Sequence, residues 1–259
     1  MEEAMRNERS RVGSVATTLL VGAVAIAMWE GAVRLASVPQ FILPAPSVVA
    51  LRFAVAWSDG TMLRHLIPTI QELVIGGVIG GAVGLLIGIV LGISGAARRI
   101  ASPYLVAAQS TPLLALGPLF VIWFGPGAAA KIAICAIISL FPLAISTLVA
   151  VRDADAGIVE LFRSLGASRL QLLFGARLPA ARAGIFAGAR VAATLAVVGA
   201  IVGEWLGGSA GLGVLVNLAR GSLFDTPLLF ATLVQIAIIG ICAYSLVAVA
   251  ERFASRLSR

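Results

Sequence analysis

Apolar runs separated by short polar or charged intervals dominate the chain. Six of them suit helical spans, at about residues 12 to 36, 66 to 94, 101 to 124, 130 to 151, 184 to 206 and 228 to 250, because an α-helix crosses a bilayer in roughly 20 residues. The pattern predicts an all-α polytopic membrane protein with six transmembrane helices, one transmembrane domain over residues 1–259. Arg6, Arg9 and Arg11 precede the first run as they would in a secretory leader. The run continues past Trp29 without a convincing small-residue cleavage site, so it is expected to be retained as a span.

Finer patterns lie on these runs. Gly76, Gly80, Gly84, Gly88 and Gly92 fall at every fourth position of the second span, with Gly77 and Gly81 widening the strip. On a helix they form a smooth face that another helix can approach closely. Packing within the subunit is preferred here over a surface that slides in a conformational change. In the third span Gln109, Ser110, Thr111 and Pro112 interrupt the apolar pattern. The proline frees a backbone carbonyl, and polar side chains at membrane depth turn toward protein or a cavity. These four residues are therefore read as lining a translocation pathway, in preference to merely satisfying a kink.

The longest polar interval, residues 152–182, carries the pattern of a helix, a turn at Gly166 and a second helix. Ser168 and Gln171 have the spacing of a capping box, and Pro179 suits the start of the helix that follows. Leu161, Leu165, Leu170, Leu173 and Phe174 recur at near-helical spacing with arginines between them. The residues alone leave two readings open: an amphipathic element on anionic lipid, or a docking element for a cytoplasmic protein. Residues 37–65, between the first and second spans, are expected to lie outside the membrane on the other side.

Composition agrees with the spans: 60% of the 259 residues are hydrophobic and 12% charged. The formal net charge of +7 does not point to nucleic acid, since the basic residues form short clusters between apolar runs instead of one soluble face. With a cytoplasmic N-terminus, thirteen arginines fall inside (6, 9, 11, 98, 99, 152, 163, 169, 177, 182, 252, 256 and 259) and five basic residues outside (Arg34, Arg52, Arg64, Lys131 and Arg220). That asymmetry places both termini and the 152–182 loop in the cytoplasm. Cys135 and Cys242 sit inside apolar runs and are read as small packing residues.

Charges within spans are costly and so informative. Glu30 and Arg34 are four apart and should pair locally. Glu72 and Glu204 fall near the outer ends of their spans; they either line a substrate vestibule or bond to neighbouring helices and loops. Arg190, near the start of the fifth span, should reach back to the cytoplasmic interface. Trp123 is read as an interfacial anchor, His65 as a solvated loop residue, and Gly207–Gly213 as a flexible outer turn.

The spacing of Glu160, Gly166 and Leu178-Pro179 resembles the EAA loop of ABC importer permeases, E-A-A, three residues, G, nine residues, I-x-L-P. It departs at Leu161-Phe162, where the family often has two alanines, and at Ala176, where it has isoleucine. FILPAPSVV (41–49), PLFVIWFGPGAAAKI (118–132), ELFRSLGAS (160–168) and VVGAIVGEWLGGSAGLG (197–213) are similar to segments of the nitrate/sulfonate/taurine branch. The resemblance implies the type I importer (MetI-like) permease fold in a bacterial inner membrane. Glu160, Leu161, Ser164, Leu165, Gly166, Ala167, Ser168, Leu178 and Pro179 would then form the contact with a partner ATPase. It also implies the partners: a dimer of ATP-binding subunits, an extracytoplasmic binding protein and a second copy of the permease, all set in membrane lipid. ATP-driven closure of the ATPase pair would draw the two coupling loops together and open the pathway outward.

This chain itself is expected to be non-catalytic and without a cofactor or metal. GPGAAAK (125–131) lacks the glycine before lysine and the Ser/Thr after it that a phosphate-binding loop requires, and no nucleophile, base and orienting group stand together. ATP and Mg belong to the partner. The alternative from another class, an ATP-independent secondary carrier, would ordinarily place ionisable groups nearer the midplane. For the solute, Glu72 and the VVGAIVGEWLG segment look more like the hydroxymethylpyrimidine and riboflavin permeases. An acidic vestibule would also repel a sulfonate, so a small neutral heterocycle is expected, with sulfonate, taurine or nitrate as the alternative.

Overall fold

A computed structural model describes residues 2–111 and 113–256 of the chain. The elements are α1 (Glu2–Leu35), α2 (Pro46–Ser58), α3 (Thr61–Ile93), α4 (Gly95–Ser110), α5 (Leu113–Phe124), α6 (Ala128–Arg152), α7 (Ala156–Ser164), α8 (Arg169–Leu172), a π-helical turn (Leu173–Arg177), α9 (Leu178–Gly207), α10 (Leu212–Arg220) and α11 (Thr226–Arg256). Among the described residues, five helical stretches are long and apolar enough to cross a membrane, those of α1, α3, α6, α9 and α11.

The expected third span is divided into α4 and α5. Thr111 closes α4 with extended backbone, φ −76° and ψ 127°. The residue after it in sequence is a proline, which disfavours the helical conformation in its predecessor. The segment expected outside the membrane also holds more structure than the hydropathy pattern suggests. It contains the helix α2, whose first turn is set by Pro46, and α3 starts five residues earlier than expected, at Thr61. Asp59 accepts the Thr61 N–H at 2.8 Å, and that bond holds its carboxyl below the usual aspartate range.

The glycine strip of α3 is spent on α6. A Cβ at Gly76 would stand 2.6 Å from the Cys135 Cβ, at Gly84 2.5 Å from the Leu140 carbonyl oxygen, and at Gly92 2.7 Å from the Val151 Cβ. At Gly80 it would run into the Ala136 carbonyl. The contacts ascend together along both helices, so α3 and α6 run parallel. On a second flank of α6, a Cβ at Gly184 would stand 2.6 Å from the Ala150 Cβ, at Gly199 2.8 Å from the Cys135 Cα, and at Gly203 2.9 Å from the Lys131 Cα. Those contacts descend, so α9 is antiparallel to α6. The three helices form a slab in which α6 meets both others and Gly77 of α3 also faces Ala196 of α9, held by backbone-to-backbone proximity, which is how helices associate where lipid removes the hydrophobic drive. In this structure the strip packs within the subunit.

Around the slab, α11 covers α9. Arg190 on α9 pairs with Glu251 at 2.7 Å and lies 5.7 Å over the Tyr244 ring. On α5, Phe120 packs with Ala130, Ile134 and Val202. Facing outward, Val78, Leu86, Ile241 and Leu246 are exposed, a distribution suited to hydrocarbon surroundings. Ile93, Arg152, Leu178 and the end of α11 share one end of the bundle with the 153–177 loop, here the loop end. At the far end α2 and α10 pack Ala56, Leu212, Leu215 and Ala219 against Met62, Val197 and Leu228.

Candidate functional site

The loop end is built by local rules. Arg152 ends α6 and pairs with Asp153 at 2.6 Å, which lowers the Asp153 carboxyl below its usual range. Asp155 caps α7 by accepting the Gly157 N–H at 2.8 Å. The helix closes on Gly166, whose φ of +74° is left-handed. There the Gly166 N–H reaches the Arg163 carbonyl and the Ala167 N–H the Phe162 carbonyl, each at 3.0 Å, the double closure in which glycine is favoured because it has no Cβ. Ser168 then opens α8 with the anticipated capping box: its N–H donates to Gln171 Oε1 at 2.8 Å, and its Oγ accepts the Gln171 N–H at 3.3 Å.

Phe162 folds this hairpin back on itself. Its ring lies over Gly175, where a Cβ would be only 2.7 Å from Cε1, and Val159 and Ala176 are buried beneath. The aromatic ring at a position where the EAA pattern often has alanine is thus matched by a glycine in the π turn. Glu160, Leu161, Ser164, Leu165 and Ser168 are exposed, and Ala167 and Leu178 half-buried. Leu165 is 76% and Phe174 65% exposed, too apolar for a surface facing only water. Pro179 follows the π turn in the first turn of α9, where a missing N–H is tolerated.

The far end holds a buried polar network. Lys131 Nζ donates to Glu72 Oε1 at 2.6 Å and to the Ala210 carbonyl at 3.3 Å. Thr69 Oγ1 donates to Glu204 Oε1 at 2.5 Å and accepts the Leu212 N–H at 2.9 Å. Glu204 Oε2 accepts the Gly213 N–H at 2.5 Å, and His65 Nδ1 lies 2.9 Å from the Gly211 carbonyl. Glu72 and Glu204 are 3% and 1% exposed. Glu72 Oε2 has no hydrogen-bond partner among the described residues, and its residue borders, with Lys131, Gln71 and Ser209, a cleft of about 290 Å³.

Three expectations change here. His65 is a buried α3 residue and not a solvated one, because α3 begins before it. Gly207–Gly213 is pinned by His65, Thr69, Lys131 and Glu204, so it is a clamped turn; Gly211, at φ +131°, packs directly on the Glu204 carboxyl. The bonding alternative describes Glu204 fully, while Glu72 combines an internal ion pair with a place on the cleft. Sequence reasoning missed Lys131, which neutralises Glu72 and removes the acidic-vestibule argument against a sulfonate.

Of the residues expected along the pathway, Thr111 is exposed and its hydroxyl donates to the Ala107 carbonyl at 3.1 Å, so that one hydroxyl does satisfy the kink. Pro112 and the side chains of Gln109 and Ser110 lie outside the described residues. Glu30 pairs with Arg34 as anticipated, at 2.5 Å, and also accepts the Ser47 N–H at 2.9 Å, so that α1 is tied to the start of α2.

A many-span helical slab with a two-helix loop at one end is the architecture of a membrane permease. Residues 80–258 match the family of binding-protein-dependent transport system inner membrane components, and the chain belongs to that family. It is 42% identical to the riboflavin transport system permease protein RibX of Chloroflexus aurantiacus, over 89% of this chain and 86% of that protein. It is 30% identical to the formylaminopyrimidine transport permease protein ThiX of Halalkalibacterium halodurans, over 84% and 86%. To the putative aliphatic sulfonates transport permease protein SsuC of Bacillus subtilis it is 33% identical, over 96% and 91%. Among solved structures, a chain of the inward-facing MetNI methionine ABC transporter superposes with a TM-score of 0.64 at 20% identity, covering 71% of this chain and 92% of that one. The fold is therefore that of an ABC importer permease, and the chain is an inner-membrane transport subunit.

Proposed function

We propose that two copies of this chain form the solute pathway of an ATP-driven importer, with the loop end in the cytoplasm seated on an ATP-binding subunit and the far end receiving solute from a binding protein. The observation that carries this reading is the α7–α8 hairpin. It is locally self-supporting, presents Glu160, Leu161 and Leu165 to the surroundings, and stands between the ends of α6 and α9. Those two helices contact each other through glycines whose Cβ positions are filled, so a push on the hairpin moves the slab as a body. The arginine asymmetry supports the same end lying inside.

The solute proposed is a small neutral heterocycle of the riboflavin or pyrimidine type. Its support is the likeness to the riboflavin permease, together with the resemblance of the residues around Glu204. The vestibule charge no longer contributes, since Lys131 offsets Glu72.

Purification of the tagged protein from native membranes, followed by mass spectrometry of what accompanies it, tests the docking. Wild type should bring an ATP-binding subunit, and Glu160→Arg and Gly166→Arg should lose it while still inserting in the membrane. An ATPase that stays with both variants would remove the hairpin from the interface. Transport by the purified chain alone in proteoliposomes, with no ATPase, would favour a secondary carrier.

A further inference from the structure

At the loop end a cleft of about 390 Å³ opens between the α3–α4 turn and the hairpin. Ile93 and Ser94 form one side; Arg163, Arg169, Leu173 and Arg177 form the other. The three arginines come from α7, α8 and the π turn, so the fold, and not the sequence order, gathers them. No carboxylate lines the cleft. None of the three guanidinium groups takes part in an ion pair or side-chain hydrogen bond among the described residues. The nearby acids are used elsewhere or point away: Asp155 is taken by the α7 cap, and Glu160 is exposed without bordering the cleft.

Like charges gathered around one concavity focus a positive potential and repel one another unless an anion is shared among them. Guanidinium groups match phosphate oxygens in a planar, two-toothed geometry. Depth narrows the choice of anion. Ile93 is the last residue of α3 and Arg177 immediately precedes α9, so the cleft stands at the loop end of two spanning helices, on the side where the arginine asymmetry puts the cytoplasmic lipid headgroups. Its remaining walls, Ile93 and Leu173, are apolar, which suits a ligand that is charged at one end and aliphatic at the other.

We propose that this cleft binds the phosphate of an anionic glycerophospholipid. The headgroup bridges the end of α3 to the hairpin and so fixes the height of the hairpin at the membrane surface. Neither the identity of the solute nor the contact with an ATPase enters this inference.

Native mass spectrometry of the full chain, with whatever subunits purify alongside it, tests the site by titration with phosphatidylglycerol, phosphatidylcholine or inorganic phosphate. Phosphatidylglycerol should be retained in preference to phosphatidylcholine. Arg169→Gln should lower its occupancy about fivefold, and joint replacement of Arg163, Arg169 and Arg177 by Gln should abolish the preference. Arg169→Lys, which keeps the charge but not the two-toothed geometry, should fall between wild type and Arg169→Gln, and replacement of Arg98 and Arg99 by Gln, on the same end but outside the cleft, should leave the preference intact. Equal retention of both lipids, or equal loss in the Arg98 and Arg99 variant, would overturn the proposal. Inorganic phosphate held with the same arginine dependence and no lipid preference would assign the cleft to a free anion instead. Release of a protein subunit by the triple variant, with phosphatidylglycerol retention unchanged, would make the arginines a protein contact.

Discussion

Lys131 and Glu72 form a buried ion pair at 2.6 Å between two spanning helices. Removing one partner strands the other, so Lys131→Met should cost about 3–5 kcal/mol, whereas Lys131→Met combined with Glu72→Leu should recover most of it. Retention of monodisperse protein after heating in mild detergent, read by size exclusion, gives the comparison; equal losses in the single and double variants would dissociate the pair from stability. Gly166 offers a different single-residue test, since nothing lies within 4 Å of the position its Cβ would occupy and only its φ of +74° resists substitution. Gly166→Ala should therefore weaken coupled ATPase activity or complex yield by about 1 kcal/mol of strain, and Gly166→Asn should do so less. The capping box and the Glu30–Arg34 pair were legible because their partners are three or four residues apart. Lys131–Glu72 is separated by 59 residues and His65–Gly211 by 146. No local period encodes such pairs; the only hint was two lone opposite charges at similar depth in apolar runs.

Among elements, α6 is the one on which the others depend. Gly80→Leu would force the α3 backbone away from the Ala136 carbonyl and should destabilise the slab by more than the ~1–3 kcal/mol typical of overpacking. Gly22→Leu on α1, where nothing lies within 4 Å, should be close to silent in the same heating assay. The even spacing of the α3 glycines made that face readable in advance. The matching face of α9 escaped notice because Gly184, Gly188, Gly199 and Gly203 are interrupted by Ala192 and Ala196, which are small enough to continue the groove. The split between α4 and α5 had its signal in the Thr111-Pro112 step, but hydropathy averaged across it. In the same way, α2 is too short to register as a span.

For the whole molecule, the all-helical membrane fold was legible from run lengths, and the transport family from the resemblance of the hairpin and three further segments to known permeases; the comparisons agree with both. The solute was not, because the vestibule argument depended on counting Glu72 without its counter-ion. Ligand screening of a binding protein that proves to work with this permease should find tight binding of a flavin or pyrimidine. Selective binding of an alkanesulfonate or nitrate would redirect the assignment to the sulfonate-type relatives.

The glycine strip has one more consequence, for how such a protein can change length over evolutionary time. Because α6 is clasped on both flanks, α3 and α9 are locked in rotational phase. Each residue added or lost in a helix turns everything beyond it by about 100°, which would swing Val83 or Leu85 into a space where even a methyl group at Gly84 does not fit. A membrane of different thickness cannot be met by gaining or losing single residues in the slab. It can be met by changes of about a whole turn, or at the ends of the helices, where no clasp reads the phase.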